Sequence, residues 1–393
     1  MISSAPRLDR ILCAVALAVT LVVGCAPGAA QASKASPGQP SVLEPDESTL
    51  SPKVRSLMAK AQNGDAHAQN ELALALAQGT GAPKSPAVAL RWWTLAADKG
   101  LPAAQFNLGL AYDQGSLTAQ NATLAKGWYE KAAANGNVAA MYNLAGLLSS
   151  GHGVPMNLAQ AATLYEGAAG HGHVKSMYNL ALAYSRGHGL ERDDAKAARW
   201  MLKAAEAGHS RAQYLMAQMY AQGLGVHKDA VKSVHWLERA AKAGHSRAQY
   251  SFAVHCQQGK GTARNHEAAL HWYREAASRN HTGAMTNLAL IMLDNANPDR
   301  NPAEAERLLV NAAEQDDPKA QYNLGVLLLS GQELAANPEQ AYYWLSLAAR
   351  HGLSEAKALR EQAAKELSRS QLDAQAKRVA AFKAKANDKD DGR

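Results

Sequence analysis

The sequence predicts an all-α solenoid built from eight 36-residue helix–turn–helix repeats. Three observations carry that prediction. The chain from Asp65 to Gly352 falls into rows of 36 with no insertion or deletion, opening at Asp65, Leu101, Asn137, His173, His209, His245, His281 and Asp317. Every row holds an Ala-Ala pair at the same offset: 96–97, 132–133, 168–169, 204–205, 240–241, 276–277, 312–313 and 348–349. Turn and capping residues divide every row into two helices. A strict period of this length is the signature of stacked supersecondary units, none of which can bury its apolar face alone.

The first helix of each row carries one large apolar residue in register: Leu72, Leu108, Leu144, Leu180, Met216, Phe252, Leu288 and Leu324. The second carries Trp92, Trp128, Leu164, Trp200, Trp236, Trp272, Leu308 and Trp344 four residues before the Ala pair, with Ala (Ser233 once) three residues earlier. Offsets of three and four define one helix face. This column is expected to be core, with the small pair letting helices approach closely. Trp93 lies outside the column and is a candidate exposed aromatic.

The punctuation fits. Gly100, Gly136, Gly172, Gly208, Gly244 and Gly352 close rows, and Asn280 and Asp316 stand in for Gly twice; all tolerate the left-handed conformation that ends a helix. Gly-x-Gly pairs (79/81, 151/153, 187/189, 223/225, 259/261) end the first helix in five rows. Second helices begin after Ser85, Asn121, Asn157, Asp193, Asp229, Asn265, Asn301 and Asn337, and such caps are worth about 1 kcal/mol each. First helices open after Asp65, Asn137, Asp317 or one of four histidines, with Pro102 and Pro318 suited to the first turn.

Outside the rows, 49–64 reads as an N-terminal capping helix with Ser51 as N-cap and Leu57 and Ala61 facing inward. Residues 353–383 read as C-terminal capping helices, 33–48 as a flexible linker and 384–393 as a charged, disordered tail. Residues 1–32 read as an export signal: Arg7 and Arg10 precede an apolar stretch from Ile11 to Val23, too short to span a bilayer comfortably. Two processing routes stay open. Val22-Val23-Gly24-Cys25 resembles a lipoprotein box that would leave Cys25 acylated, and Ala30-Gln31-Ala32 would direct cleavage after Ala32. Either route places the chain in the periplasm, on an outer-membrane lipid anchor or free, with secretion a further possibility. The membrane is met only through the anchor.

Bulk properties exclude several classes. The formal charge is +7, but the basic residues are spread out and not gathered with aromatics into a stripe, so nucleic acid is not expected as a partner. The three cysteines are Cys13, Cys25 and Cys256; processing leaves Cys256 without an intramolecular partner, and it reads as a small core residue.

Rows such as Ala212-Gln213-Tyr214-Leu215…Tyr220-Ala221-Gln222-Gly223-Leu224-Gly225…Asp229…Trp236…Ala240-Ala241 resemble the Sel1-like repeat, a relative of the tetratricopeptide repeat. The resemblance covers 65–352 and implies a right-handed superhelix with a concave groove lined by the first helices, used to scaffold protein complexes. The rows opening at Leu101, His281 and Asp317 depart from the Gly-x-Gly turn. One branch of the family is cysteine-rich, secreted and β-lactamase-like; this chain lacks those cysteines.

No catalytic constellation is present. His173, His209, His245 and His281 share a column, but repeats stack roughly 10 Å apart while zinc ligands lie near 2 Å, so they read as helix caps and no metal is expected. His266 and His271 are five apart, which turns their rings about 140° from one another. Ser354-Glu355-Ala356-Lys357 matches S-x-x-K without its companion motifs, and Ser354 reads as a cap. No phosphate or dinucleotide fingerprint occurs, and no cofactor is expected. Asn107, Asn143, Asn179, Asn287 and Asn323, each just before the core residue of a first helix, are the binding candidates: an amide both gives and accepts hydrogen bonds to an extended peptide. The alternative is that they bond the neighbouring helix and order the stack. Glu71, Leu215 and Ser251 hold the column elsewhere. The expectation is a non-enzymatic envelope scaffold that binds a protein partner in its groove. The alternatives are binding of a cell-wall or secreted polysaccharide through exposed aromatics such as Trp93 and, remotely, a β-lactamase-like hydrolase.

Overall fold

The structure is a computed structural model and describes residues 46–385 except 296, 298 and 299. Among the described residues there are nineteen α-helices and no strand. Helix α1 (Pro52–Gln62) precedes the rows. Eight pairs follow: α2 (Ala66–Gln78) with α3 (Pro86–Asp98), α4 (Pro102–Gln114) with α5 (Ala122–Ala134), α6 (Val138–Ser150) with α7 (Leu158–Gly170), and α8 (Val174–Arg186) with α9 (Asp194–Glu206). Then come α10 (Ser210–Gln222) with α11 (Ala230–Lys242), α12 (Ser246–Gln258) with α13 (His266–Ser278), α14 (Thr282–Leu293) with α15 (Pro302–Glu314), and α16 (Pro318–Ser330) with α17 (Pro338–Arg350). Helices α18 (Ser354–Ala364) and α19 (Arg369–Ala381) follow the last pair. The chain divides into two compact units, one ending at Ala204 and the other starting at Ala205. Successive helices from α1 to α8 and from α10 to α18 pack on one another, and α19 packs on α17.

The core follows the row columns. In unit 1 Leu72, Leu108, Leu144 and Leu180 are buried, and in unit 2 Met216, Phe252, Leu288 and Leu324. Both members of each Ala pair are buried, which lets helix backbones close together. The tryptophan column is only partly core. Trp92, Trp236 and Trp344 are buried, but Trp128, Trp200 and Trp272 are half-exposed, with Lys131 and Lys203 lying over the first two rings at 4.1 and 4.2 Å. The deeper column lies one residue later: Trp93, Tyr129, Tyr165, Met201, Leu237, Tyr273, Leu309 and Leu345 are all buried. A 100° step per residue brings that column, not the tryptophans, onto the centre of the inward face.

Seven of the eight second-helix caps accept the expected backbone N–H; an example is Lys196 N–H to Asp193 at 2.8 Å. Ser85 occupies the cap position but makes no such bond. Asn280 and Asp316 adopt φ of 68° and 66°, as their places in the Gly column require. Gly115 and Gly331 end first helices in left-handed geometry in two rows that lack the Gly-x-Gly pair. In the third, α14 is one residue shorter and ends at an extended Asp294.

The two glycines of a Gly-x-Gly turn do different work. The first closes the helix. The second touches the start of the preceding repeat's second helix: a Cβ on Gly189 would meet the Leu158 carbonyl oxygen at 2.1 Å, and on Gly261 the Ala230 carbonyl oxygen at 2.8 Å. The turn is therefore also an inter-repeat contact. At the chain ends, Ser51 caps α1, whose Val54, Met58 and Ala61 are buried while Leu57 sits half-buried at the edge. Ser354 does not cap α18. It is the first helical residue, after Leu353, and its hydroxyl donates to Glu355.

Candidate functional site

The first helices show one repeating burial pattern. In α10, Ala212, Gln213, Met216 and Ala217 are buried, while Arg211, Tyr214, Leu215 and Gln218 are half-buried. The same alternation recurs in α12 and, with Lys319 exposed at its start, in α16. Offsets of zero, three, four and seven put each half-buried set on one stripe. In unit 1 the stripe carries Phe106, Asn107 and Leu110 on α4, Tyr142 and Asn143 on α6, and Tyr178, Asn179 and Leu182 on α8. It is the face of each unit on which aromatic, amide and aliphatic groups meet solvent together.

All five candidate asparagines stand on this stripe, half-buried. Three engage a tyrosine of the preceding second helix. Asn143 Nδ2 donates to the Tyr129 hydroxyl at 3.4 Å and Asn287 Nδ2 to the Tyr273 hydroxyl at 3.1 Å; Asn179 lies beside Tyr165, where its amide favours the phenolate. Those hydroxyls donate onward, Tyr129 to Asp113 at 3.1 Å and Tyr273 to Gln257 at 2.8 Å. Burial holds all three phenols above their ordinary pKa, and Tyr273 is pushed up to about 12; they act as neutral donor–acceptors. Asn107 donates instead to Asn70 of the neighbouring first helix at 2.9 Å. Before Asn323 the tyrosine position is Leu309, which has no hydroxyl to offer.

Two further columns shape the face and were not singled out from the sequence. Gln69, Gln105, Gln213, Gln249 and Gln321 are buried, and each Nε2 donates to the carbonyl of the second residue of the preceding Ala pair (Ala61 before the first row) at 3.0–3.2 Å. Met141, Met177 and Met285 occupy the other rows. A recurring Gln between apolar columns was the available signal. The second is a ladder of rings. The Nδ1 of His173, His209, His245 and His281 accepts a backbone N–H at 3.2–3.3 Å, so each histidine caps its helix. Tyr142 packs on His173 at 4.7 Å between ring centroids, Tyr214 stacks on His245 at 4.7 Å and Tyr250 on His281 at 4.6 Å. The first helices α6 and α8, α10 and α12, and α12 and α14 are thereby joined.

The remaining candidates are placed as follows. Trp93 is buried, 5% exposed, because it falls on the inward column; it offers no face to a glycan. Cys256 is buried in α12 and burial pushes its thiol pKa up. Cys25 and the whole export segment lie outside the described residues. Among the described residues no group of three or more His, Cys, Asp or Glu is placed to hold a metal, and no helix is long and apolar enough to cross a membrane.

Comparison with known proteins agrees with this geometry. The Sel1 repeat family model matches residues 66–101, 102–137, 138–173, 174–209, 210–245, 246–281, 282–317 and 318–353. A Sel1 repeat protein from Oxalobacter formigenes is similar in structure, with 25% identity and a TM-score of 0.62 over 84% of this chain and 97% of that one. A protective antigen of uropathogenic Escherichia coli displaying an SLR fold is similar at 26% identity and TM-score 0.55, over 84% of this chain and 79% of that one. No curated protein matches.

Proposed function

Because the chain belongs to the Sel1 repeat family, whose members generally mediate protein–protein interaction as non-catalytic scaffolds, we propose that it is an envelope scaffold holding a protein segment on the first-helix face. The observation that carries this reading is the half-buried stripe of aromatic, amide and aliphatic side chains repeated from helix to helix within each unit. An extended segment lying across it meets apolar contacts, with hydrogen-bonding amides at Asn107, Asn143, Asn179, Asn287 and Asn323, the kinds of contact that groove-bound peptides use. Arg7, Arg10, the apolar run to Val23 and Cys25 support export, with either a lipid anchor at Cys25 or release after Ala32.

Site-specific photocrosslinking in the native host tests the reading. A photoreactive residue at Asn107 or Asn323 should trap one envelope protein. The same residue at Lys242, on the outward side of α11, should not. Crosslinks from Lys242 alone, or from no position, would overturn it.

A further inference from the structure

Helix α19 is attached to the array unlike any other helix of unit 2. In each row of that unit the two helices pack on one another, and α18 packs on α17; α19 also packs on α17, but makes no such packing with α18, its neighbour in the chain. Ser368 and Gln371 close a capping box at its start, so its first turn is satisfied within the helix and asks nothing of the array. Only Gln375 is buried along it, while Leu372 and Val379 are half-buried. We infer that α19 is a strap: it lifts off α17 as a unit while the rows stay folded, and in lifting it bares the face of α17 that carries Tyr343, Ser346 and Leu347.

That face is unlike its counterparts in the preceding rows. Tyr343, Ser346, Leu347 and Arg350 stand at offsets of zero, three, four and seven, which is one side of a helix. The first three are 8%, 7% and 1% exposed. In the column of Tyr343 the second helices α11, α13 and α15 place His235, His271 and Arg307, all exposed. In the column of Leu347 they place Arg239, Glu275 and Asn311, none of them buried. A side that is polar and open in three rows is therefore closed and more apolar in the last. Helix α19 meets both ends of it. The Arg378 guanidinium lies 4.3 Å from the centroid of the Tyr343 ring, and Arg350 donates to the Val379 carbonyl at 2.8 Å.

The bonds that hold the strap are few and polar. Gln371 and Gln375 both donate to Glu339, the second at 3.2 Å. Past the end of the helix, the Lys385 backbone N–H donates to the Glu314 carbonyl at 2.8 Å and the ammonium pairs with the Glu314 carboxylate at 2.5 Å. The lysine of that pair is 65% exposed, and exposed pairs contribute little. A helix of this length is marginal in water by itself, so α19 persists through what it touches on α17 and α15. It touches them chiefly with groups that water satisfies equally well. Such a segment opens at far lower cost than the packed rows. Because α19 packs on α17 alone, its departure takes little support from the rows.

Thiol labelling of the full chain tests this. Ser346→Cys puts a nearly isosteric thiol beneath the strap, and Cys256, 3% exposed in α12, is the internal reference for opening of the rows. Read by mass spectrometry, the new thiol should react roughly tenfold or more faster than Cys256, as local opening runs ahead of wider unfolding. Adding R378A and K385A removes two of the strap's side-chain contacts; it should speed the new thiol several-fold and leave Cys256 unchanged. Hydrogen exchange on the unaltered chain gives an independent reading, with amides of 369–381 exchanging well ahead of those of 338–350. The inference is overturned by a new thiol no faster than Cys256, by R378A/K385A accelerating neither thiol or both equally, or by α17 exchanging as fast as α19.

Discussion

The two glycines of the turn at 187–189 and the row-closing Gly172 allow the packing argument to be separated from backbone preference. Both Gly172 and Gly189 have positive φ, 84° and 74°. An alanine at Gly172 meets nothing within 4 Å, whereas at Gly189 its Cβ would lie 2.1 Å from the Leu158 carbonyl oxygen and 2.6 Å from the Ala159 nitrogen. Gly172→Ala should therefore cost only the left-handed penalty of about 1–2 kcal/mol, reduced by roughly 0.4–1 kcal/mol through the stiffer unfolded chain. Gly189→Ala bears the same balance plus overlap with a backbone that cannot rotate aside, about 1–3 kcal/mol more. A repeat array need not unfold in one step, so the assay is hydrogen exchange followed by mass spectrometry on peptides spanning 158–193. G189A should raise exchange at the start of α7 and in the 187–193 turn. G172A should raise it much less. Equal effects would refute the claim that the second glycine is an inter-repeat contact.

Other outcomes follow from the columns. Gln249→Met should cost less than about 1 kcal/mol in thermal melts, since three native rows use Met there, while Gln249→Glu places an unpaired charge against the Ala241 carbonyl and should cost several times more. Burial, with help from Lys175, holds His173 below its ordinary pKa of 6.5, so the unfolded chain takes up the proton first. Stability is complete above about pH 6.5 and falls as pH drops towards the folded value; replacing His173 by Asn, the cap used in the row before, should flatten that slope in melts between pH 5 and 7. Asn287→Ala should remove a hydrogen bond to Tyr273 and cost about 1 kcal/mol, whereas Asn323→Ala, which faces Leu309, should leave the melting point nearly unchanged and act on partner capture instead. Ultraviolet titration should show the Tyr273 phenol resisting ionisation until about pH 12.

Fold and repeat register were legible because they rest on small-residue and turn chemistry that few alternatives satisfy. Asn280 and Asp316 show this well: a non-glycine in the Gly column had to be a residue that tolerates positive φ, and both adopt it. What sequence reading misplaced was depth. Regular spacing and the small residue three positions earlier point to the Trp column as core, and Trp92, Trp236 and Trp344 are buried, yet Tyr129, Tyr273 and Leu309, one residue later, are fully buried while Trp128 and Trp200 take lysines on their outer faces. A single column offset is 100° of rotation, and apolar pattern alone does not separate neighbours when both are hydrophobic. Trp93 was misplaced by the same error. The Gln column was missed because a buried polar residue announces itself only through its partner, here a carbonyl eight residues back that no periodicity reveals.

The asparagine column required both of the readings the sequence left open, and the preceding repeat decides between them. Where a row supplies tyrosine at its inward position (Tyr129, Tyr165, Tyr273), the next row supplies asparagine; Asn143 and Asn287 bond theirs directly and Asn179 lies beside Tyr165. Where the row supplies Met201 or Leu237, the next has Leu215 or Ser251, with no amide at all. That correspondence within one chain is what a packing requirement produces, because a phenol taken out of water must find polar company. Asn107 and Asn323 break the correspondence: Trp93 and Leu309 precede them, and neither has a hydroxyl. Asn107 bonds Asn70 of the neighbouring first helix instead, so only Asn323 stands on the solvent-facing stripe with no tyrosine before it and no such bond to a neighbouring first helix. The ligand-facing role therefore narrows from five asparagines to Asn323, with Asn107 shared between its bond to Asn70 and the solvent-facing stripe.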